Sequence, residues 1–177
     1  ESIVGMADDS LSYNGFRISF DQKFVPITRP IVAMFAGDLD LQSAILDKVR
    51  EKIGNYNALI PYEWTVKKIV DAFTQSYKDV RYEHIVQIVL NHYLVPVKVW
   101  EHHRNSLDCK TIDDIQREID EFLLPPIETI IAGVDSNDGG YELAAQLYLV
   151  IGEKAENRTS MGFLCIGAGK DHSMVEF

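Results

Sequence analysis

Lys23-Phe-Val-Pro-Ile-Thr-Arg-Pro-Ile-Val-Ala-Met-Phe-Ala-Gly-Asp38 decides the reading of this chain. Phe24 to Ile27 and Ile31 to Ala36 are short apolar runs on either side of a Thr28-Arg-Pro30 turn, the pattern of two neighbouring strands. After Gly37-Asp38 the period changes. Leu41, Ile45, Leu46, Val49 and Ile53 recur every three or four residues, which predicts a helix from about Leu39 to Lys52 with Gly54 as its stop.

On the N-terminal side, residues 2 to 7 read as a buried strand. Asp8 to Gly15 is turn chemistry with Asn14-Gly15 as a hairpin signal, and Phe16, Ile18 and Phe20 alternate with polar residues as in a half-buried strand. On the C-terminal side, a second helix is expected from about Glu63 to Tyr77, with Val66, Ile69, Val70 and Phe73 inward, and a third from about Tyr82 to Tyr93. Leu94 to Trp100 is open between helix and strand, because Pro96 disfavours the one and the valines favour the other. Thr111-Ile-Asp-Asp114 has capping-box spacing and opens a charged helix with Ile115, Ile119, Phe122 and Leu123 inward, ended by Pro125-Pro126. Strands are then expected at Glu128 to Val134, Ala144 to Ile151 and Gly162 to Ile166, with turns at residues 135–140 and 152–157. Strands, then helices, then strands is a segregated α+β order, in one domain spanning 1–177.

The composition narrows the function classes. A net charge of −10 disfavours duplex nucleic acid and anionic membrane as partners, and no apolar run approaches the roughly 20 residues of a membrane span. Two cysteines, Cys109 and Cys165, make no disulfide framework and suit a reducing, cytoplasmic setting, with Cys165 expected in a core strand. The Asn157-Arg-Thr159 sequon is a short pattern without secretory context. His84, His92, His102 and His103 lack zinc-site spacing, so no metal is expected. Gly167-Ala-Gly-Lys170 fails as a phosphate loop, since Leu164 stands where the first glycine is needed.

One order of segments carries a family signal. An apolar strand closes on Ala7-Asp8, Lys23 opens the next apolar segment, and a strand ends in Phe35-Ala-Gly-Asp38 before a helix. Later come Ile130-Ile-Ala-Gly-Val-Asp135, Gly139-Gly140, Leu147-Tyr-Leu149 and Cys165-Ile-Gly-Ala-Gly169. This resembles the proteasome β-subunit family of threonine-type N-terminal nucleophile hydrolases. The resemblance implies a four-layer αββα sandwich, two antiparallel sheets with helices on the outer faces, assembled as a homo-oligomeric ring. It implies hydrolysis of peptide or other amide bonds, in unfolded polypeptides, with neither metal nor organic cofactor; whether an ATPase regulator serves the ring stays open.

By position, the resemblance gives Lys23 the role of the lysine beside the nucleophile, Asp8 that of its carboxylate partner, and Gly37 that of the oxyanion amide. A nearby ammonium lowers a nucleophile's pKa, and a backbone N–H at a strand-to-helix turn is a pre-organised donor. Ser12, Phe35, Leu39 and Ala168 fall on the substrate side; Ala168 stands where many active members carry a serine. Only seven residues precede Asp8, so the resemblance implies a nucleophile strand upstream of Glu1 and further elements beyond Phe177. Residues 96–125 are extra relative to the family pattern, and form either a rim or subunit contact, or a solvated excursion. Two alternatives stand beside the protease: a non-catalytic scaffold subunit similar to proteasome α subunits, and an amidase with a non-protein substrate.

Overall fold

The computed structural model describes residues 10–13, 16–19, 24–28, 30–54, 65–136 and 143–167, the first two stretches by backbone alone. The expected strand at residues 2–7 lies outside them. Strands β1 (Ser10–Tyr13) and β2 (Phe16–Ser19) pair antiparallel, with Tyr13 opposite Phe16 across two intervening residues, the spacing that Asn14-Gly15 predicts.

The remaining strands form a single antiparallel sheet in chain order: β3 (Phe24–Thr28), β4 (Ile31–Gly37), β5 (Ile127–Ser136), β6 (Leu143–Ile151) and β7 (Lys154–Asn157). Among the described residues all α-helices fall between β4 and β5, as the segregated order predicts, and a single 3-10 turn at Thr159–Met161 follows β7. The protein is thus mixed α and β around a five-stranded antiparallel sheet.

Helix α1 (Leu39–Ile53) starts where Asp38 accepts the Leu41 N–H at 2.9 Å and stops at Gly54, whose φ of 81° suits glycine. Its predicted inward residues Leu41, Ile45, Leu46, Val49 and Ile53 are all buried. Helix α2 (Val66–Ile85) is capped by Thr65, and Val66, Ile69, Val70 and Phe73 are buried as expected. Both helices pack on the sheet face that carries Val25, Ile31, Ala33, Phe35, Ile127, Ile131, Tyr148 and Val150. Each large aliphatic side chain hidden there contributes roughly 1.5–3 kcal/mol.

Several boundaries differ from the sequence pattern, for physical reasons. The second and third helices are continuous: α2 runs on through a π-helical segment at Val86–Leu90. Lys78-Asp-Val-Arg81 looks like a polar break, yet Val80 is buried against the sheet-side core and Arg81 turns its guanidinium to the Ile119 and Phe122 carbonyls. Leu94 to Trp100 resolves as a turn at Leu94 followed by helix α3 (Val97–His102), with Pro96 at its N-cap where a missing N–H costs nothing. The charged helix, α4 (Cys109–Glu121), opens at Asp108 instead of Thr111; Asp108 accepts from both the Thr111 N–H at 2.9 Å and its hydroxyl at 2.6 Å. Leu123 is 85% exposed and Leu124 is buried in its place, because the chain is already extended at Phe122.

Residues 152–157, read as a turn, contain strand β7, while Gly162 to Ile166, read as a strand, is irregular. Charged β7 pairs with β6 at the sheet edge with every residue exposed, so it leaves no hydrophobic pattern. Residues 164–167 are partly covered without joining a ladder, and Cys165 is half-buried in irregular chain, not in a core strand. The 96–125 segment packs with the end of α2 around a second core of Ile85, Val89, Leu90, Val95, Trp100 and Ile115.

Candidate functional site

The register of the sheet sorts its two faces. Ala33, Ile131 and Tyr148 form one row toward the helices, so Val32, Ala132 and Leu147 in the next row point the other way. Along that second face lie Val32, Met34 and Ala36 of β4, Glu128, Ile130, Ala132 and Val134 of β5, and Ala145, Leu147, Leu149 and Ile151 of β6. Among the described side chains of these three strands it is apolar except for Glu128, while Glu156 and Lys154 of β7 lie opposite Leu149 and Ile151 on the same face. Ile130 and Ala132 at its centre are 4% and 6% exposed, while Ile151 toward the rim is 50% exposed.

The candidate site stands at one end of this face, where β4 gives way to α1. Gly37, the last residue of β4, has φ 121°, a region that side chains avoid, and pairs with Ile127. A Cβ on Gly37 would stand 2.2 Å from the Pro126 carbonyl oxygen. Glycine is therefore required here by backbone geometry alone, before any chemistry is asked of its amide.

The C-terminal irregular segment reaches the same point. Gly167, with φ 83°, donates its N–H to the Glu128 carboxylate at 3.0 Å, and a Cβ on Gly167 would lie 3.2 Å from that of Ala36. Glu128 pairs directly with Ala36 across the β4–β5 ladder. Two segments singled out in the sequence, Phe35-Ala-Gly37 and Cys165-Ile-Gly167, thus meet although 128 positions separate Gly37 from Cys165 at their nearest ends.

The other sequence-nominated residues divide as follows. Asp8, Lys23 and Ala168 lie outside the described residues, and Ser12 is described only as the β1 backbone position opposite Arg17. Leu39 is 42% exposed at the first turn of α1, beside Gly37 in sequence. Phe35 is 3% exposed and faces the helices, its ring 5.8 Å from that of Phe73. Only its backbone is left to serve a ligand on the second face.

Two further groups lie elsewhere. Asp135 is buried at the far end of β5 and accepts the Val66 N–H at 2.7 Å and the Gln146 amide at 2.5 Å, tying the sheet to the start of α2. A void of about 10 Å³ under α1 and α2, lined by Ile45, Phe73, Tyr77, Ile127, Thr129, Val150 and Gly152, is at the lower limit for one water. Burial there pushes the Tyr77 phenol pKa up.

Among the described residues no cluster of His, Cys, Asp and Glu is disposed to hold a metal ion, and no helix is long and apolar enough to cross a membrane. His92 and His102 lie near single carboxylates, Glu118 at 3.7 Å and Glu101 at 3.9 Å. Sequence reasoning missed Glu128. Glu128, two residues after Pro126, reads only as a strand start, and the register reveals what it faces. Comparison with protein-family models and with curated proteins finds no match for this chain.

Proposed function

We propose that this chain is part of a proteasome-like N-terminal nucleophile hydrolase that cleaves peptide or related amide bonds. Its nucleophile would be a threonine outside residues 1–177, activated by Lys23, which Asp8 holds, with the Gly37 amide receiving the oxyanion. The observation that carries the reading is the meeting of the Gly37 strand end with the Ile166–Gly167 segment. A hydrolase of this class needs backbone donors and a lining segment converging on one point beside a sheet.

The same reading includes the αββα sandwich. Its support is the second face of the sheet, whose apolar side chains demand a covering layer as sheet faces generally do. The β1–β2 pair would belong to that second sheet, and a ring of identical subunits acting on unfolded polypeptide in the cytoplasm would complete the assembly. The helical 96–125 segment would lie outside the sandwich, as a rim or subunit contact. The scaffold alternative is favoured by one residue, Ala168, which offers no hydroxyl where active members carry serine.

The test uses the full-length protein. N-terminal sequencing should find Thr at the mature terminus, and Lys23→Ala should abolish hydrolysis of a fluorogenic peptide amide while the assembled size is kept. A full-length protein without hydrolytic activity and without a terminal nucleophile turns the reading to the scaffold. Unchanged hydrolysis in Lys23→Ala moves the chemistry elsewhere.

A further inference from the structure

A carboxylate on a largely apolar sheet face is costly unless donors are aimed at it. Glu128 is the only charged residue on the second face of β4, β5 and β6 within the described residues, between Ala36 on one side and Ile151 on the other. Its carboxylate accepts the backbone N–H of Gly167 at 3.0 Å, in a part-buried setting. That bond joins the sheet to a segment that makes no ladder of its own. The backbone of Gly167, at φ 83°, follows a course that favours glycine and approaches Ala36 so closely that a methyl on it would meet the Ala36 methyl at 3.2 Å.

We infer that Glu128 is a positioning residue, whose carboxylate fixes the Cys165–Gly167 segment against the Ala36–Gly37 strand end and so sets the spacing of the two glycine-bearing segments. The inference rests on the hydrolase reading for its catalytic consequence, though not for the tie itself. Glu128 touches no reacting atom in this scheme; it acts through Gly167. A hydrogen bond to a charged acceptor is worth about 1.5–3 kcal/mol, or about tenfold or more in any equilibrium that releases the segment.

Cys165, two residues from Gly167 and half-buried, reports on that release, and exposed Cys109 on α4 supplies an internal reference. The experiment takes the full-length assembled protein as wild type, Glu128→Gln, Glu128→Ala and Gly167→Ala. Site-resolved mass spectrometry follows modification by N-ethylmaleimide, and kcat and KM are measured on a fluorogenic peptide amide. Glu128→Ala should speed Cys165 modification about tenfold relative to Cys109, and lower kcat by a similar factor with KM within about twofold. Glu128→Gln keeps an acceptor oxygen and should restore both to within about threefold of wild type. Gly167→Ala, which leaves Glu128 in place, should reproduce the alanine variant's behaviour and serves if Glu128→Ala fails to assemble.

Unchanged Cys165 labelling in Glu128→Ala overturns the tie. Faster labelling with unchanged kcat overturns the positioning role. A Gln variant as impaired as the Ala variant assigns the effect to charge instead of hydrogen bonding and also overturns it. Absence of hydrolysis in the wild type overturns the hydrolase reading and the catalytic consequence together, while the labelling arm still decides the tie.

Discussion

Replacing Asp135 by alanine removes two acceptors at once, and the structure allows the cost to be apportioned. The Val66 N–H, now bonded to Asp135 at 2.7 Å, belongs to the first residue of α2, and Val66 is fully buried. That donor is buried, and leaving it without the carboxylate costs about 1–3 kcal/mol. The Gln146 amide, bonded at 2.5 Å, is only part-buried and can turn toward solvent, which limits its share to about 1 kcal/mol. Loss of a carboxylate from a helix N-terminus adds about 0.3–1 kcal/mol. Asp135→Ala should therefore destabilise by about 2–5 kcal/mol, and Asp135→Asn, which keeps one acceptor oxygen, by about half as much. Urea unfolding of both variants, each also in a Gln146→Ala background, gives the two costs and their coupling. The Ala variant should lose less in the Gln146→Ala background, by about 0.5–1.5 kcal/mol. An Asp135→Ala protein within about 0.5 kcal/mol of wild type would refute the reasoning, because it would mean the α2 terminus does not depend on β5.

Four other substitutions test the packing and one surface ion pair. Gly133→Ala places a Cβ 2.8 Å from Ile31 Cγ1, the Pro30 carbonyl oxygen and Val66 Cγ2, and should cost about 1–3 kcal/mol or more. Gly54→Ala, with open space and a φ of 81°, should cost only about 1 kcal/mol, and a reversed ranking in urea unfolding contradicts the account. Ser76 is fully buried with no hydrogen-bond partner for its hydroxyl among the described residues, so Ser76→Ala should be neutral or stabilise by about 1 kcal/mol; a clear loss in thermal unfolding would show that the hydroxyl is satisfied. The Lys52 hydrogen bond holds the Asp79 carboxyl below its ordinary range. A depressed folded-state pKa gives stability that is present above the unfolded value near 3.9 and lost as pH falls through the folded value. Lys52→Met should therefore flatten the stability profile below about pH 4, and an unchanged acid limb would show that the pair contributes nothing.

Where burial and periodicity coincide, the sequence was readable. In α1, Leu41, Ile45, Leu46, Val49 and Ile53 face the sheet and Gly54 ends the helix, as the spacing required. It misled where hydrogen bonding and burial part company. Strand β7 is defined by its ladder to β6 and buries nothing, while residues 164–167 are partly buried without a ladder. Asp108 and Thr111 lie three apart, and both suit a helix start, so only geometry separates the cap from its partner. At the site, Gly37 was legible because a strand-to-helix turn with positive φ selects glycine. Glu128 was not, because its importance comes from strand register and from contact with a segment 39 positions away.

The pairing of β4 with β5 closes a long span of chain. Gly37 and Ile127 are about 90 positions apart, and helices α1 to α4 lie between them. The entropy lost in bringing such ends together grows only with the logarithm of length, about 0.6 kcal/mol per doubling. Shortening the span by the roughly 30 residues of segment 96–125 would change that term by only about 0.4 kcal/mol. The segment brings its own core around Trp100 and Ile115, so it demands little of the sheet while extending the span. Its kinetic consequence is larger: the central strand pair must wait for distant partners, whereas α1 and α2 can form from local contacts. Length inserted here is nearly free at equilibrium, and its cost falls on the time taken to fold.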